Sequence, residues 1–411
     1  MRILILSSSA GNGHNSAGNR IKEKFLKEQP NAEIEMVDVY KTYASKMQAW
    51  AIEQGYFIAC NHLLPIYNYF FKKSENVNFD LKDSSGCHKQ TYSMLHGILN
   101  KIYDFKPDLI ICTYIFAAIA VENIKRAYNI PAKVACMALD YGVSPYWECA
   151  SSCLDYMFLT DEYMVDLFVE RGYRKEQLYV TGIPISYEFN LDRDRGETRE
   201  KLNLDKELFT VIVMKASFFP VSEKKLVKEF QKVDKPIQIV FINGKDKKSK
   251  KKLDKYIKKY NLKHTIHNIG FTKQIPEYFS ASNLVLGKAG GLTTSETITS
   301  KLPALILDRL PMQEIYNKEY MVKKGCAIEV TKNNFADNIN YLLNNKEVYE
   351  KMVQSTIATR KLNVVDKFYD ILKDIEPANY SDIEFNDNKK IVIKKVDSQR
   401  KKAIKNSKRS N

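Results

Sequence analysis

Six short runs of β-branched and aliphatic residues, at 2–6, 33–37, 109–112, 133–138, 156–159 and 178–180, alternate with longer charged stretches of helical period. Six more follow the same rhythm at 210–214, 237–242, 267–269, 284–286, 304–307 and 327–330. A parallel pair of strands cannot be joined by a tight turn and needs a crossover of about a dozen residues or more. This rhythm therefore predicts parallel sheets wrapped by helices, the α/β class, as two Rossmann-like doubly wound domains. Residues 190–197 are charged and almost free of apolar groups, as a linker should be, so the first domain is expected over 1–190 and the second over 191–378 with a final helix. Open sheets of this kind bind ligands beyond the carboxyl ends of their strands, so the active site is expected in a cleft between the two domains.

The remaining composition narrows the setting. The chain has 411 residues with 64 Lys and Arg against 49 Asp and Glu, a net charge of +15, which points to an anionic partner. Its seven cysteines are scattered without a C-x-x-C pair, so neither a disulfide framework nor a zinc site is expected and a reducing cytoplasm is read. The apolar start at residues 2–6 gives way within ten residues to a polar glycine turn, too soon for a signal peptide. The longest apolar stretch, 109–121, falls short of the ~20 residues of a membrane span, so membrane contact is expected to be peripheral. Residues 379–411 carry ten Lys and Arg against four acidic residues and read as a basic, mostly disordered tail. No nucleic-acid recognition module is visible, and a basic nucleic-acid binder rests on charge alone.

Three segments carry chemistry. The first strand opens into Ser7-Ser-Ser-Ala-Gly11-Asn-Gly13-His14-Asn15 and a helix. Its glycines at 11, 13 and 18 miss the dinucleotide spacing, even though Asp38 falls near the expected ribose position, and no G-K-[ST] follows. An imidazole at a helix amino terminus is biased toward its neutral form, so His14 reads as a general base or, more simply, as a local cap. In the second domain a strand runs into Gly287-Lys-Ala-Gly290-Gly291-Leu-Thr293-Thr294-Ser-Glu296. Backbone N–H groups and hydroxyls there suit a diphosphate, with Glu296 one turn on for ribose hydroxyls, although Thr293-x-x-Glu296 is equally a capping box. After the next strand, Gln313, Glu314 and Asn317 offer amide and carboxylate groups to a sugar. Residues 43–71 crowd Trp50, Phe57, Tyr67, Phe70 and Phe71 beside Lys72 and Lys73, which fits a helix at a lipid surface or, alternatively, a core helix pair broken at Pro65. The lysines of 244–252 read first as the solvated face of a helix.

Taken together, these motifs carry a resemblance. Residues 11–15, Asp140-Tyr-x5-Trp147, Gly182-Ile-Pro-Ile-Ser-x2-Phe189, Gly270-Phe-Thr, 288–296 and Gln313-Glu-x2-Asn317 are similar, in order, to the monogalactosyldiacylglycerol synthases and processive diacylglycerol glucosyltransferases of glycosyltransferase family 28. The resemblance spans residues 1 to about 375. It implies a GT-B fold, a lipid acceptor on the amino-terminal domain and a UDP-sugar on the other. It also implies an inverting hexosyl transfer to diacylglycerol, or further to the glycolipid product, at the inner face of the cell membrane. By the same resemblance Gly290, Gly291, Thr293 and Thr294 meet the diphosphate, Glu296 the ribose, and Gln313, Glu314 and Asn317 the sugar. His14 deprotonates the acceptor hydroxyl, Asp140 orients it, and the anionic membrane surface is a partner. Neither cofactor nor metal is expected, the UDP-sugar being a substrate. The chain departs from the pattern at 213–220, where Lys215 and Ser217 stand in place of a glycine-rich turn, and at Ser144, Ala289 and Met312. Another lipid acceptor, or a scaffold that binds without turnover, are the alternative readings.

Overall fold

A computed structural model describes residues 1–9, 12–45, 47, 50, 54–55, 58–60, 62–75, 85–151, 153–215, 219–381, 383 and 388–407. The chain divides into two compact units, one of Met1–Ile58, Tyr69–Ile185 and Val364–Asn411, the other of Ala59–Asn68 and Ser186–Asn363.

In the first unit, β1 (Arg2–Ser7), β2 (Glu33–Asp38), β3 (Leu109–Cys112), β4 (Lys133–Met137), β5 (Tyr156–Leu159) and β6 (Leu178–Val180) form a parallel sheet in the order β2-β1-β3-β4-β5-β6. β3 is buried along its whole length, which is why it reads as a continuous apolar run rather than an alternating one. The chain winds from β1 out to β2 and then returns to the other side of β1 as β3, so the order reverses between β1 and β3.

The second unit repeats the plan. β7 (Thr210–Met214), β8 (Gln238–Ile242), β9 (Thr265–Ile269), β10 (Leu284–Gly287), β11 (Ala304–Leu307) and β12 (Ala327–Val330) are ordered β12-β11-β10-β7-β8-β9, all parallel. Here the reversal lies between β7 and β10. At the opposite, amino-terminal edge the buried Arg199 donates to Ala281 O at 2.9 Å, Lys206 O at 2.7 Å, Thr210 Oγ1 at 2.9 Å and Asn283 Oδ1 at 2.7 Å. Satisfied on all sides, this guanidinium pins the strand starts and leaves the carboxyl edge for chemistry.

The carboxyl end of the chain differs from the sequence expectation. The helix Val364–Leu372 belongs to the first unit, because its buried stripe Val364, Phe368 and Leu372 seats there, with Phe368 stacked on Phe158 of β5 at 3.7 Å between ring centres. The tail expected to be disordered forms a helix, Lys389–Ser407, whose Val392 and Val396 are fully buried in the first unit's core. Two valines one turn apart supply the apolar stripe that the charge count of this segment conceals. The switch into the second unit falls before residue 186 rather than at 190, since Phe189 is buried against Phe279 at 5.5 Å.

Candidate functional site

Each sheet places its candidate residues where open α/β sheets bind ligands, beyond the carboxyl ends of its strands, with His14 and Gly290 after strands that flank the reversal of order. In the first unit the helix Asn12–Glu28 follows β1 and carries His14 in its first turn. His14 Nδ1 lies 2.5 Å from the carbonyl oxygen of Thr113, the residue after β3. A carbonyl can only accept, so Nδ1 holds the proton and Nε2 is left with its lone pair. Burial holds the His14 pKa below its ordinary 6.5, against the Thr113 carbonyl, which favours the charged ring. The imidazole also meets the edge of Tyr114 at 5.0 Å. Held from two sides, the ring keeps Nε2 as its acceptor atom.

Polar groups beneath it lock the turn. Thr113 Oγ1 donates to Ser7 Oγ at 3.0 Å, Ser7 Oγ to Asn15 Oδ1 at 2.6 Å, and Asn15 Nδ2 to Ser9 Oγ at 3.1 Å. Ser9 in turn donates to Asp38 Oδ2, while Asp38 Oδ1 accepts from Lys41 N at 3.1 Å and caps the helix Val39–Tyr43. Asp38 is thus occupied by the protein's own groups, which removes the physical basis for a ribose contact there. Asp140 lies three residues past the end of β4, partly exposed, its main-chain oxygen accepting from Thr160 Oγ1 at 3.3 Å. β3 stands between the strands that carry His14 and Asp140.

In the second unit the helix Gly291–Thr299 follows β10, and its N-cap is Gly290, with no side chain bonded to the helix end. The capping-box alternative is not realised, because Thr293 already lies inside the first turn. Thr294 N closes that turn onto Gly290 O at 2.8 Å, and Gly290 has no side chain with which to cap the preceding N–H groups. The Thr294 Oγ1 atom is buried without a hydrogen-bond partner. Gly291, Thr293 and Glu296 are half-buried on the same helix.

The helix Met312–Lys323 follows β11 and brings up the other groups. Glu314 is buried and paired through Oε1 with Lys288, while its Oε2 has no partner. Asn317 is fully buried and donates to Ala289 O at 2.8 Å, so it braces the glycine turn from behind instead of presenting its amide outward. Gln313 accepts a hydrogen bond from Tyr67 at 3.0 Å, a contact no local pattern announces. Lys215 is not free for a phosphate: its Nζ donates to Glu223 Oε1 at 3.1 Å and Ser249 Oγ at 2.7 Å. Burial lowers its pKa against the pull of Glu223. Ser217 lies outside the described residues. Among the described residues, no group of three or more His, Cys, Asp or Glu is placed to hold a metal.

The aromatic segment is resolved in favour of a surface element. Trp50 is 63%, Tyr69 64% and Phe70 62% exposed, with Leu63 and Ile66 alongside them, where a core helix pair would bury such groups. Phe71 is half-buried, Phe57 lies outside the described residues, and Tyr67 turns toward Gln313. Among the described residues no helix is long and apolar enough to cross a membrane. The lysines of the helix Lys247–Tyr260 surround a buried Ser249 and Leu253 and form its solvated face.

Comparison with known proteins agrees with this division. Residues 14–185 match the family model of monogalactosyldiacylglycerol (MGDG) synthase, and residues 194–359 match that of glycosyl transferases group 1. A processive diacylglycerol beta-glucosyltransferase of Staphylococcus saprophyticus is 29% identical over 331 residues, covering 79% of this chain and 80% of the relative. One from Staphylococcus haemolyticus is 28% identical over 384 residues, covering 89% and 93%. Among solved structures, Acinetobacter baumannii MurG superposes with a TM-score of 0.61 at 12% identity, over 91% of this chain and 99% of the other. Anabaena HepE in complex with UDP gives 0.55 at 14% identity, over 91% and 99%. Both share the GT-B fold with this chain. In both halves the chain is thus similar to known glycosyltransferases, and over most of its length to the processive diacylglycerol glucosyltransferases.

Proposed function

We propose that the protein is a diacylglycerol glucosyltransferase that transfers a hexose from a UDP-sugar, glucose in the first instance, to the free hydroxyl of diacylglycerol. The observation that carries the chemistry is the His14–Thr113 hydrogen bond, which fixes a neutral imidazole with Nε2 as the acceptor. The acceptor hydroxyl gives its proton to Nε2 as its oxygen attacks the anomeric carbon. The bond from that carbon to the β-phosphate oxygen breaks, and its electron pair leaves with UDP. Attack opposite the leaving group converts an α-linked donor into a β-glycoside.

The charge that develops on UDP is met in this reading by the amino terminus of the helix Gly291–Thr299 and by the Thr293 and Thr294 hydroxyls, groups already oriented before reaction. Glu296 holds the ribose, and Gln313 and Glu314 the sugar, while Asn317 keeps the turn in place. Asp140 orients the acceptor. The UDP-sugar is a substrate and no cofactor enters.

The exposed Trp50, Ile66, Tyr69 and Phe70, close in sequence to Lys72 and Lys73, support peripheral binding to an anionic membrane surface, and the net charge of +15 favours it further. The six described cysteines are all free thiols, which supports a reducing compartment and hence the inner face of the cell membrane. Nucleic acid is not a partner in this reading.

Incubating purified protein with diacylglycerol-containing liposomes and a panel of UDP-sugars, with UDP release and lipid mass followed together, tests the reading. A hexosyl diacylglycerol is expected, with a dihexosyl product if the enzyme accepts its own product. UDP binding with no lipid product from any sugar would refute it. The pH dependence is set by His14. Only the neutral ring accepts the proton and its pKa lies below 6.5, so kcat/KM is expected to be level above that pH and to fall on acidification. An acid limb centred above 6.5 would contradict the assignment.

A further inference from the structure

Tyr67 and Asn68 are the last residues of the short stretch Ala59–Asn68 that belongs to the second unit although the sequence around it belongs to the first. Both reach the donor-side turn after β11. The Tyr67 hydroxyl donates to Gln313 Oε1 at 3.0 Å, and Asn68 Nδ2 donates to Leu310 O at 3.0 Å. These two bonds grip either end of the turn 310–313, one through its backbone and one through the side chain read as a sugar contact. A glutamine side chain has a carbonyl face and an amide face, and a hydroxyl donating to the carbonyl decides which way each one looks.

From this juxtaposition we infer that Tyr67 is a positioning residue for sugar recognition: by holding Gln313 Oε1 it fixes the orientation in which the amide meets the hexose of the UDP-sugar. The inference rests on the reading of Gln313 as a sugar contact. It separates two parts of donor affinity. The uridine and diphosphate are held on the helix Gly291–Thr299 and do not depend on Tyr67, whereas the hexose does. The helix Leu64–Glu75 thereby has two different sides, with Ile66, Tyr69 and Phe70 exposed and Tyr67 and Asn68 turned to the donor loop.

The test compares Tyr67→Phe, Gln313→Ala and the double variant in the full-length protein. It measures KM for UDP-glucose, kcat, and the Ki of UDP as a competitive inhibitor. A net hydrogen bond of ordinary strength corresponds to about a 5- to 10-fold effect. Tyr67→Phe is expected to raise the UDP-glucose KM by about that factor with the UDP Ki unchanged, and the double variant is expected to be no worse than Gln313→Ala. If Gln313→Ala leaves the UDP-glucose KM unchanged, the sugar-site reading itself fails. If Gln313→Ala raises it and Tyr67→Phe does not, the inference about Tyr67 fails and the sugar site stands. A rise in the UDP Ki together with KM would mark Tyr67 as merely structural and also overturn the inference. Asn68→Ala, which frees the backbone end of the same turn, is expected to show the same split between KM and Ki.

Discussion

Replacing His14 with alanine is expected to lower kcat by about 10²- to 10⁴-fold while leaving UDP affinity at the wild-type value. The first number follows from removing a base whose lone pair is aimed by the Thr113 carbonyl and whose ring is kept neutral by burial. It corresponds to about 2.7–5.4 kcal/mol of transition-state stabilisation. The second follows because the groups proposed for the diphosphate and ribose all lie in the second unit. The cost to folding is small, since the half-buried ring loses one hydrogen bond and an edge contact with Tyr114. Turnover by a folded His14→Ala protein within a few-fold of wild type would remove His14 from the mechanism. His14→Asn adds a control, because it restores a polar group at the helix start without a base of useful strength.

Phe368→Ala is expected to destabilise the first unit by about 3–5 kcal/mol. The ring is fully buried, stacked on Phe158, and anchors the helix that follows the second unit in sequence. Of its neighbours, Lys24 pairs with the partly exposed Asp366 at 2.7 Å, a contact that adds little, and the fully buried Phe25 meets Tyr369 at 5.1 Å. The chain offers a way to read the two units apart. Its two tryptophans, Trp50 and Trp147, both lie in the first unit, so tryptophan fluorescence, excited where tyrosine does not absorb, reports that unit alone. Urea unfolding followed by fluorescence should shift to lower denaturant, and a second circular-dichroism transition belonging to the other unit should stay in place. Coincident, unshifted curves would show that the helix contributes no stability to the first sheet.

The strands were legible because a parallel sheet writes its apolar runs continuously and separates them by helical stretches, and both sheets follow that pattern strand for strand. The place of His14, in the first turn of the helix after β1, was legible from the strand, glycine turn and helix start. Thr113 was not, because it acts through a main-chain carbonyl, which has no side-chain signature. Asn317 was found but assigned to the ligand, whereas its amide serves the Ala289 carbonyl; a polar residue type does not tell which side of a turn it supports. Lys215 failed likewise, since the partners that bury it, Glu223 and Ser249, come from two helices beyond the strand. The Tyr67–Gln313 bond spans 246 residues and lies beyond any local pattern. The helix Val364–Leu372 was placed with the second domain because its position in the chain follows that domain, and chain order does not name the sheet a helix will cover.

That helix bears on how the protein is made. The strands of the first sheet are all synthesised before the main run of the second unit, Ser186–Asn363, begins, yet Phe158 acquires its covering ring only after Asn363 has been passed. The second unit, apart from the early stretch Ala59–Asn68, is one continuous run of chain and can close as it emerges, while the first waits with an apolar patch open. The domain begun first is therefore finished last. A chain that stops short of the helix Val364–Leu372 carries all six strands of the second sheet but a first sheet with Phe158 uncovered, an apolar patch open to aggregation.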